Sequence, residues 1–149
     1  MMFNPDYSDL LKEFAAHNVE YVVVGAYAMA AHGYVRSTGD IDILVKPTLS
    51  NSEAVYMSLG AFGAPLAEVT KEDFSAPGTV YQIGVPPNRI DILTAIDGVP
   101  YEEAGRVWIE VDGQEIPFLD LTSLKRNKAA TGRTKDKLDL ELMSGDENP

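Results

Sequence analysis

The tetrapeptide Ile-Asp-Ile-Leu occurs twice in this chain, as Ile41-Asp42-Ile43-Leu44 and as Ile90-Asp91-Ile92-Leu93. Aspartate is depleted from strand interiors because it suits a half-buried pleated surface poorly, so two such placements between isoleucines ask for a reason. Asp40 adds a third carboxylate two residues before Asp42. Side chains alternate faces along a strand, so Asp40 and Asp42 point the same way, about 6.5–7 Å apart, while Ile41 and Ile43 take the opposite face. If the strand carrying Asp91 lies beside this one, three carboxylates converge. Anions packed so closely repel one another unless a cation neutralises them. With oxygen ligands only, the expected ion is hard, Mg²⁺ or Mn²⁺ in its place. Two such ions about 3.5–4 Å apart are a known device for in-line displacement at phosphorus. The third carboxylate can then draw the proton from an attacking hydroxyl. The plainer alternatives are that Asp40 belongs to a turn after Gly39 and that Asp91 faces solvent on an exposed strand. Taken singly, each alternative is stronger than catalysis. Taken with the glycine turn upstream, the metal site is favoured.

That turn is at Gly25, which ends the β-branched run Tyr21-Val22-Val23-Val24 and opens a helix with Ala26 next. A helix N-terminus presents unpaired N–H groups and a partial positive charge, and glycine lets a phosphate approach the backbone. A dinucleotide fingerprint is excluded, because Tyr27 stands where its second glycine is required, and no P-loop pattern is present. Cysteine is absent, which excludes a disulfide scaffold, a thiolate zinc site and a cysteine nucleophile. His17 and His32 are the two histidines, and neither has zinc-ligand spacing. The net charge of −11 argues against nucleic-acid binding by overall field. Yet six of the twelve Lys and Arg residues fall between Lys125 and Lys137. They offer either a local seat for phosphate or a solvated face on two helices.

Length and composition set the frame that must hold these residues. A chain of 149 residues with 45% hydrophobic content makes one ordinary domain, expected over 1–143 with a polar tail at 144–149. Nothing at the N-terminus resembles a signal peptide, and no apolar run reaches the length of a membrane span, so a cytoplasmic protein is expected. Asn4-Pro5 predicts a helix start, with Leu10, Leu11, Phe14 and Ala15 on its apolar face. Strands are predicted over 21–24 and 40–45, flanking a short alanine-rich helix at 26–31 that Gly33 closes. Ser50 and Glu53 have capping-box spacing and predict a helix to about Gly60. The segment 61–78 reads poorly beyond a short helix near Glu72. Two hairpins are predicted: 80–85 with 89–94, and 106–111 with 114–119 around Asp112-Gly113. Helices follow at 121–131, capped by Asp120, and from Thr134 to about Met143. Trp108 is expected in the core, and His32 to pack at its helix end. The fold class is α/β (α+β): a mixed sheet packed with helices, a β-hairpin and two C-terminal helices.

Strand, Gly25-Ala26, short helix, then Asp40-Ile41-Asp42 on the next strand resembles the signature of DNA polymerase β-type nucleotidyltransferases. The stretch from Val24 to Gly33, with Arg36-Ser37-Thr38-Gly39-Asp40, is similar to the AbiEii-like branch, which includes toxins of toxin–antitoxin pairs. Leu124-Lys125 to Lys128 and Gly132-Arg133 to Asp139 are similar to that branch's closing helices. The resemblance implies a nucleotidyltransferase fold and transfer of a nucleoside monophosphate from a nucleoside triphosphate to a hydroxyl on RNA, protein or a small molecule. It implies that Asp40 and Asp42 hold both Mg²⁺ (or Mn²⁺) ions, and that Asp91 holds the catalytic one and acts as base. Gly25 and Ala26 would cradle the triphosphate through their backbones. Arg36 and Thr38 would bind phosphate or shape the pocket, and Lys128, Arg133 and Lys135 would form the far wall. A cognate toxin or antitoxin protein is the implied partner; a membrane is not. Ala26 departs from the Gly or Ser usual at its position and removes a hydroxyl that would touch phosphate. The competing reading is therefore a non-catalytic nucleotide- or protein-binding module on the same fold.

Overall fold

The computed structural model describes residues 3–35 and 39–145. The N-terminal helix α1 (Pro5–Ala16) begins as its sequence predicts: the Asn4 side chain accepts the Asp6 N–H at 2.7 Å, and Pro5 occupies the first turn. Asn18, in a left-handed conformation at φ 55°, turns the chain into β1 (Tyr21–Val24). The short helix α2 (Gly25–Ala31) and β2 (Ile41–Val45) follow. Helix α3 (Leu49–Phe62) is capped two residues earlier than expected. Thr48, not Ser50, accepts the Asn51 N–H, at 3.3 Å. Asn51 decides this start. Its amide donates to the carbonyls of Glu20 and Lys46, both at 2.9 Å, and accepts the Glu20 N–H at 2.8 Å, so it is needed inside the first turn. Gly63, at φ 95°, closes the helix beyond Gly60. The segment expected to be obscure holds a single 3₁₀ turn at Asp73–Ser75, which buries Phe74.

The strands β3 (Val80–Ile83) and β4 (Ile90–Leu93) form the first hairpin, and β5 (Arg106–Val111) and β6 (Gln114–Leu119) the second. Asp112 and Gly113 both take positive φ, 52° and 81°, as a type I′ turn requires. The chain ends in α4 (Leu121–Thr131), capped by the Asp120 carboxylate on the Ser123 N–H, and α5 (Thr134–Gly145). The strands make a six-stranded mixed sheet in the order β3-β4-β2-β1-β6-β5. The contacts β2–β4 and β1–β6 are parallel, and the others antiparallel.

Alternation along the strands separates two apolar layers. Val23, Ile41, Ile43, Ile90, Ile92 and Phe118 face α1 and α3, where Leu10, Leu11, Phe14, Val55 and Leu59 complete the core. Val22, Val24, Leu44 and Leu119 face the other way, against Ala28, Met29, Leu124 and Met143. Asp42 and Asp91 belong by parity to this second face. One expectation fails here. Trp108 is 59% exposed. Along β5 the alternation turns Val107, Ile109 and Val111 to the core and leaves Trp108 on the opposite side with Arg106 and Glu110. Among the described residues, no helix is long and apolar enough to cross a membrane.

Candidate active site

The parallel pairing of β2 and β4 sets Ile41 beside Ile90, Asp42 beside Asp91, Ile43 beside Ile92 and Leu44 beside Leu93. The isoleucines on both strands are buried in the core, and this burial fixes the face on which the aspartates emerge. Val24 pairs with Asp42 on the other side of β2, which brings Gly25 and the start of α2 to the same spot. The approach is close. Gly25 has φ 67°, and a Cβ there would lie 2.5 Å from the Asp42 Oδ2. Glycine is required both by its dihedral angle and by the carboxylate against its backbone.

These residues open onto one cleft of about 980 Å³. Asp40, Asp42 and Asp91 stand on its sheet side with Gly25 and Ala26, and Lys128, Arg133 and Lys135 lie across from them. Of the ten residues read from the sequence as a site, the eight just named share the cavity. Arg36 and Thr38 lie outside the described residues.

The acidic side is crowded. Burial raises the Asp42 carboxyl from its ordinary 3.8 to about 6, and the Asp91 charge, a hydrogen bond with Asp91 and the Asp40 charge push the same way, against the pull of Arg89. A hydrogen bond between two carboxyls needs a proton on one of them, in keeping with the raised Asp42 carboxyl. The Tyr7 phenol is raised too, by burial first, then by Tyr27 and the three aspartates, and burial and Asp40 raise Tyr27.

Arg89 was not read from the sequence as part of the site. It is two residues before Asp91 and shares its face. Its Nε donates to Asp91 Oδ1 at 2.8 Å and its Nη2 to Asp91 Oδ2 at 3.1 Å, while Nη2 also lies 3.5 Å from Asp40 Oδ2. The parity rule that joined Asp40 to Asp42 would have found it. The donor set suits a hard dication in kind: three carboxylates, oxygen only. As the side chains stand, however, no group of three or more His, Cys, Asp or Glu among the described residues is arranged to hold a metal ion. The positive charge set against these acids is the Arg89 guanidinium.

The far wall is also more committed than its charge suggests. Lys128 is buried, with Nζ 2.9 Å from Asp136 Oδ1 and 3.3 Å from Asp139 Oδ2. Arg133 donates from Nε to Asp136 Oδ2 at 2.6 Å, and Thr131 Oγ1 donates to the same oxygen at 2.6 Å. Burial would raise the Asp136 carboxyl, but these hydrogen bonds from Thr131, Lys128 and Arg133 outweigh it and hold it down at about 2. Lys128 and Arg133 thus serve the α4–α5 junction first. Lys135 also lines the cleft, is exposed, and makes no ion pair among the described residues. His32, as expected, packs at the end of α2, its Nε2 2.8 Å from the Leu119 carbonyl oxygen.

No family model matches this sequence, and no curated protein matches it significantly. Among solved structures, the chain is similar to TM1012 from Thermotoga maritima, a provisionally assigned nucleotidyltransferase. The TM-score is 0.61 at 17% identity, over 97% of this chain and 96% of that one. At that identity the likeness establishes the fold, a nucleotidyltransferase-like one.

Proposed function

We propose that this protein is a metal-dependent nucleotidyltransferase that moves a nucleoside monophosphate from a nucleoside triphosphate to a hydroxyl. The observation that carries this reading is the β2–β4 register, with Asp42 beside Asp91, Asp40 at the same end and Gly25 against Asp42. Asp40, Asp42 and Asp91 would hold Mg²⁺ or Mn²⁺, which would supply the charge that steadies a triphosphate and its departing pyrophosphate. The N–H groups at Gly25 and Ala26 and the Lys135 ammonium, all on the cleft wall, would orient phosphate oxygens. Asp91 accepts the proton of the acceptor hydroxyl as that oxygen bonds to the α-phosphorus. The bond from the α-phosphorus to the bridging oxygen breaks, and pyrophosphate leaves. The acceptor belongs to RNA, protein or a small molecule. The similarity of residues 24–40 and 124–139 to the AbiEii-like branch favours a partner protein from a toxin–antitoxin pair.

Asp91→Asn tests the proposal. Incubated with α-labelled triphosphates, Mg²⁺ and a pool of cell RNA and protein, the wild type should label an acceptor. The variant should lose transfer by about 10²-fold or more while still binding nucleotide. Transfer that persists in the variant refutes the role given to Asp91.

Ala26 favours a second reading, a nucleotide- or protein-binding module without turnover. A melting temperature that responds to none of the triphosphates with Mg²⁺ would support that module over the transferase.

A further inference from the structure

The likeness of the two Ile-Asp-Ile-Leu strands ends one residue upstream: Asp40-Ile-Asp-Ile-Leu on β2 runs beside Arg89-Ile-Asp-Ile-Leu on β4. The position across from Asp40 therefore carries a cation where the repeat would put a fourth acid. The Arg89 backbone is held from three sides. Its N–H donates to Asp40 Oδ1 at 3.0 Å, and its carbonyl accepts the Ile41 N–H at 3.0 Å and the Tyr7 hydroxyl at 3.2 Å. From this fixed base the guanidinium forks onto both oxygens of Asp91, a side chain only 10% exposed, and reaches Asp40. Bidentate guanidinium–carboxylate pairing is among the stronger charge-assisted contacts, and the planar fork fits it where an ammonium would not.

We propose that Arg89 is a built-in counter-ion of the acidic centre, and that a divalent cation enters by displacing its guanidinium from Asp91 and Asp40. The inference rests on the reading of the three aspartates as cation ligands. Its physical content is competition. Asp91 cannot give the same oxygens to a guanidinium fork and to a dication, and the positive charge of Arg89 opposes the arrival of a second one. The centre stays partly neutralised while no metal is bound, and its metal affinity is set below what three carboxylates alone would give. The energetic threshold for loading is therefore encoded in a residue that is not itself a ligand.

The experiment is titration calorimetry of the purified full chain with Mn²⁺ and no nucleotide, on wild type, Arg89→Gln and Arg89→Lys. Arg89→Gln removes the charge and the fork and should bind Mn²⁺ roughly tenfold more tightly or better. Arg89→Lys keeps the charge without the fork and should fall between. Melting temperatures give a second readout. Arg89→Gln should melt below wild type without metal, and saturating Mn²⁺ should close the gap, because the dication then supplies the missing charge. A merely structural arginine would leave Mn²⁺ affinity unchanged or lower it on removal. If Arg89→Gln does not fold, Arg89→Lys decides: tighter binding than wild type supports the proposal, and equal or weaker binding overturns it. Wild type that binds Mn²⁺ while both variants bind it no more tightly overturns the counter-ion and leaves the transferase reading standing. Absence of Mn²⁺ binding in all three proteins overturns both.

Discussion

Asp42 shows how one side chain ties chemistry to stability. Its carboxyl is held up at about 6 against 3.8 in an unfolded chain, by burial and by its two acidic neighbours. The folded state therefore binds this proton more tightly than the unfolded one. The stabilisation is complete below about pH 4, is lost as pH rises towards 6, and does not change further above that. Asp42→Asn removes this titration while keeping the shape. Without metal, the stability of the variant relative to wild type should grow across pH 4–6, by on the order of 2 kcal/mol, and level off by pH 7. Urea melts of both proteins at half-unit steps of pH would show it. A gap that stays constant over that range would mean that Asp42 is not crowded as described. The meeting of the carboxylates was largely legible at this scale, because an aspartate between two isoleucines is costly and its position in the repeat is explicit. Arg89 went unread because a charged residue at a strand's start has an ordinary explanation in solvent. Only the register across from Asp40 gives it another.

At the scale of elements, local pattern carried most of the fold. The Asn4-Pro5 start, the Asp112-Gly113 turn and the Asp120 cap are decided by residues in contact with their own neighbours, and the structure has all three. The start of α3 was misread because the residue that fixes it acts at long range. Asn51 bonds to Glu20, thirty-one positions away, and that bond outweighs a capping box that Ser50 and Glu53 merely permit. Asn51 thus ties the entry of β1 and the exit of β2 to one helix. Asn51→Ala leaves the Lys46 carbonyl and the Glu20 N–H without this side chain, and should cost about 2–4 kcal/mol. Equilibrium urea denaturation should show the midpoint falling with an unchanged slope; a loss below about 0.5 kcal/mol would show that water replaces the amide. Trp108 was misplaced for a related reason: strand alternation names two faces but does not say which one the next layer covers.

The whole molecule is a sheet with an acidic site on one face and a pair of helices closing over it. Those helices are joined to each other by buried charge. Lys128 is sandwiched between Asp136 and Asp139, each 1% exposed at the side chain. Removing one partner from such a cluster leaves uncompensated charge in the interior. Lys128→Met should destabilise the protein by about 3–5 kcal/mol at pH 7, and by less near pH 4, where the orphaned carboxyls can take up protons. Calorimetric melts at the two pH values would separate this from simple loss of packing, which would be equal at both. The clustering of basic residues was visible in the sequence. Their commitment to Asp136 and Asp139 was not, since the acids lie on the same short segment and read as alternating surface charge.

The duplicated strands also bear on how the chain finds its alignment. Isoleucine against isoleucine is nearly interchangeable between neighbouring rungs, so grease alone distinguishes poorly between the native pairing of β2 with β4 and one shifted by two residues. A shift one way sets Asp91 beside Leu44, in a wholly dry layer; the other way sets it beside Asp40, acid on acid. The carboxylates of the candidate site thus double as the proofreaders of strand alignment, and an oily replacement at residue 91 would erase that discrimination together with the charge.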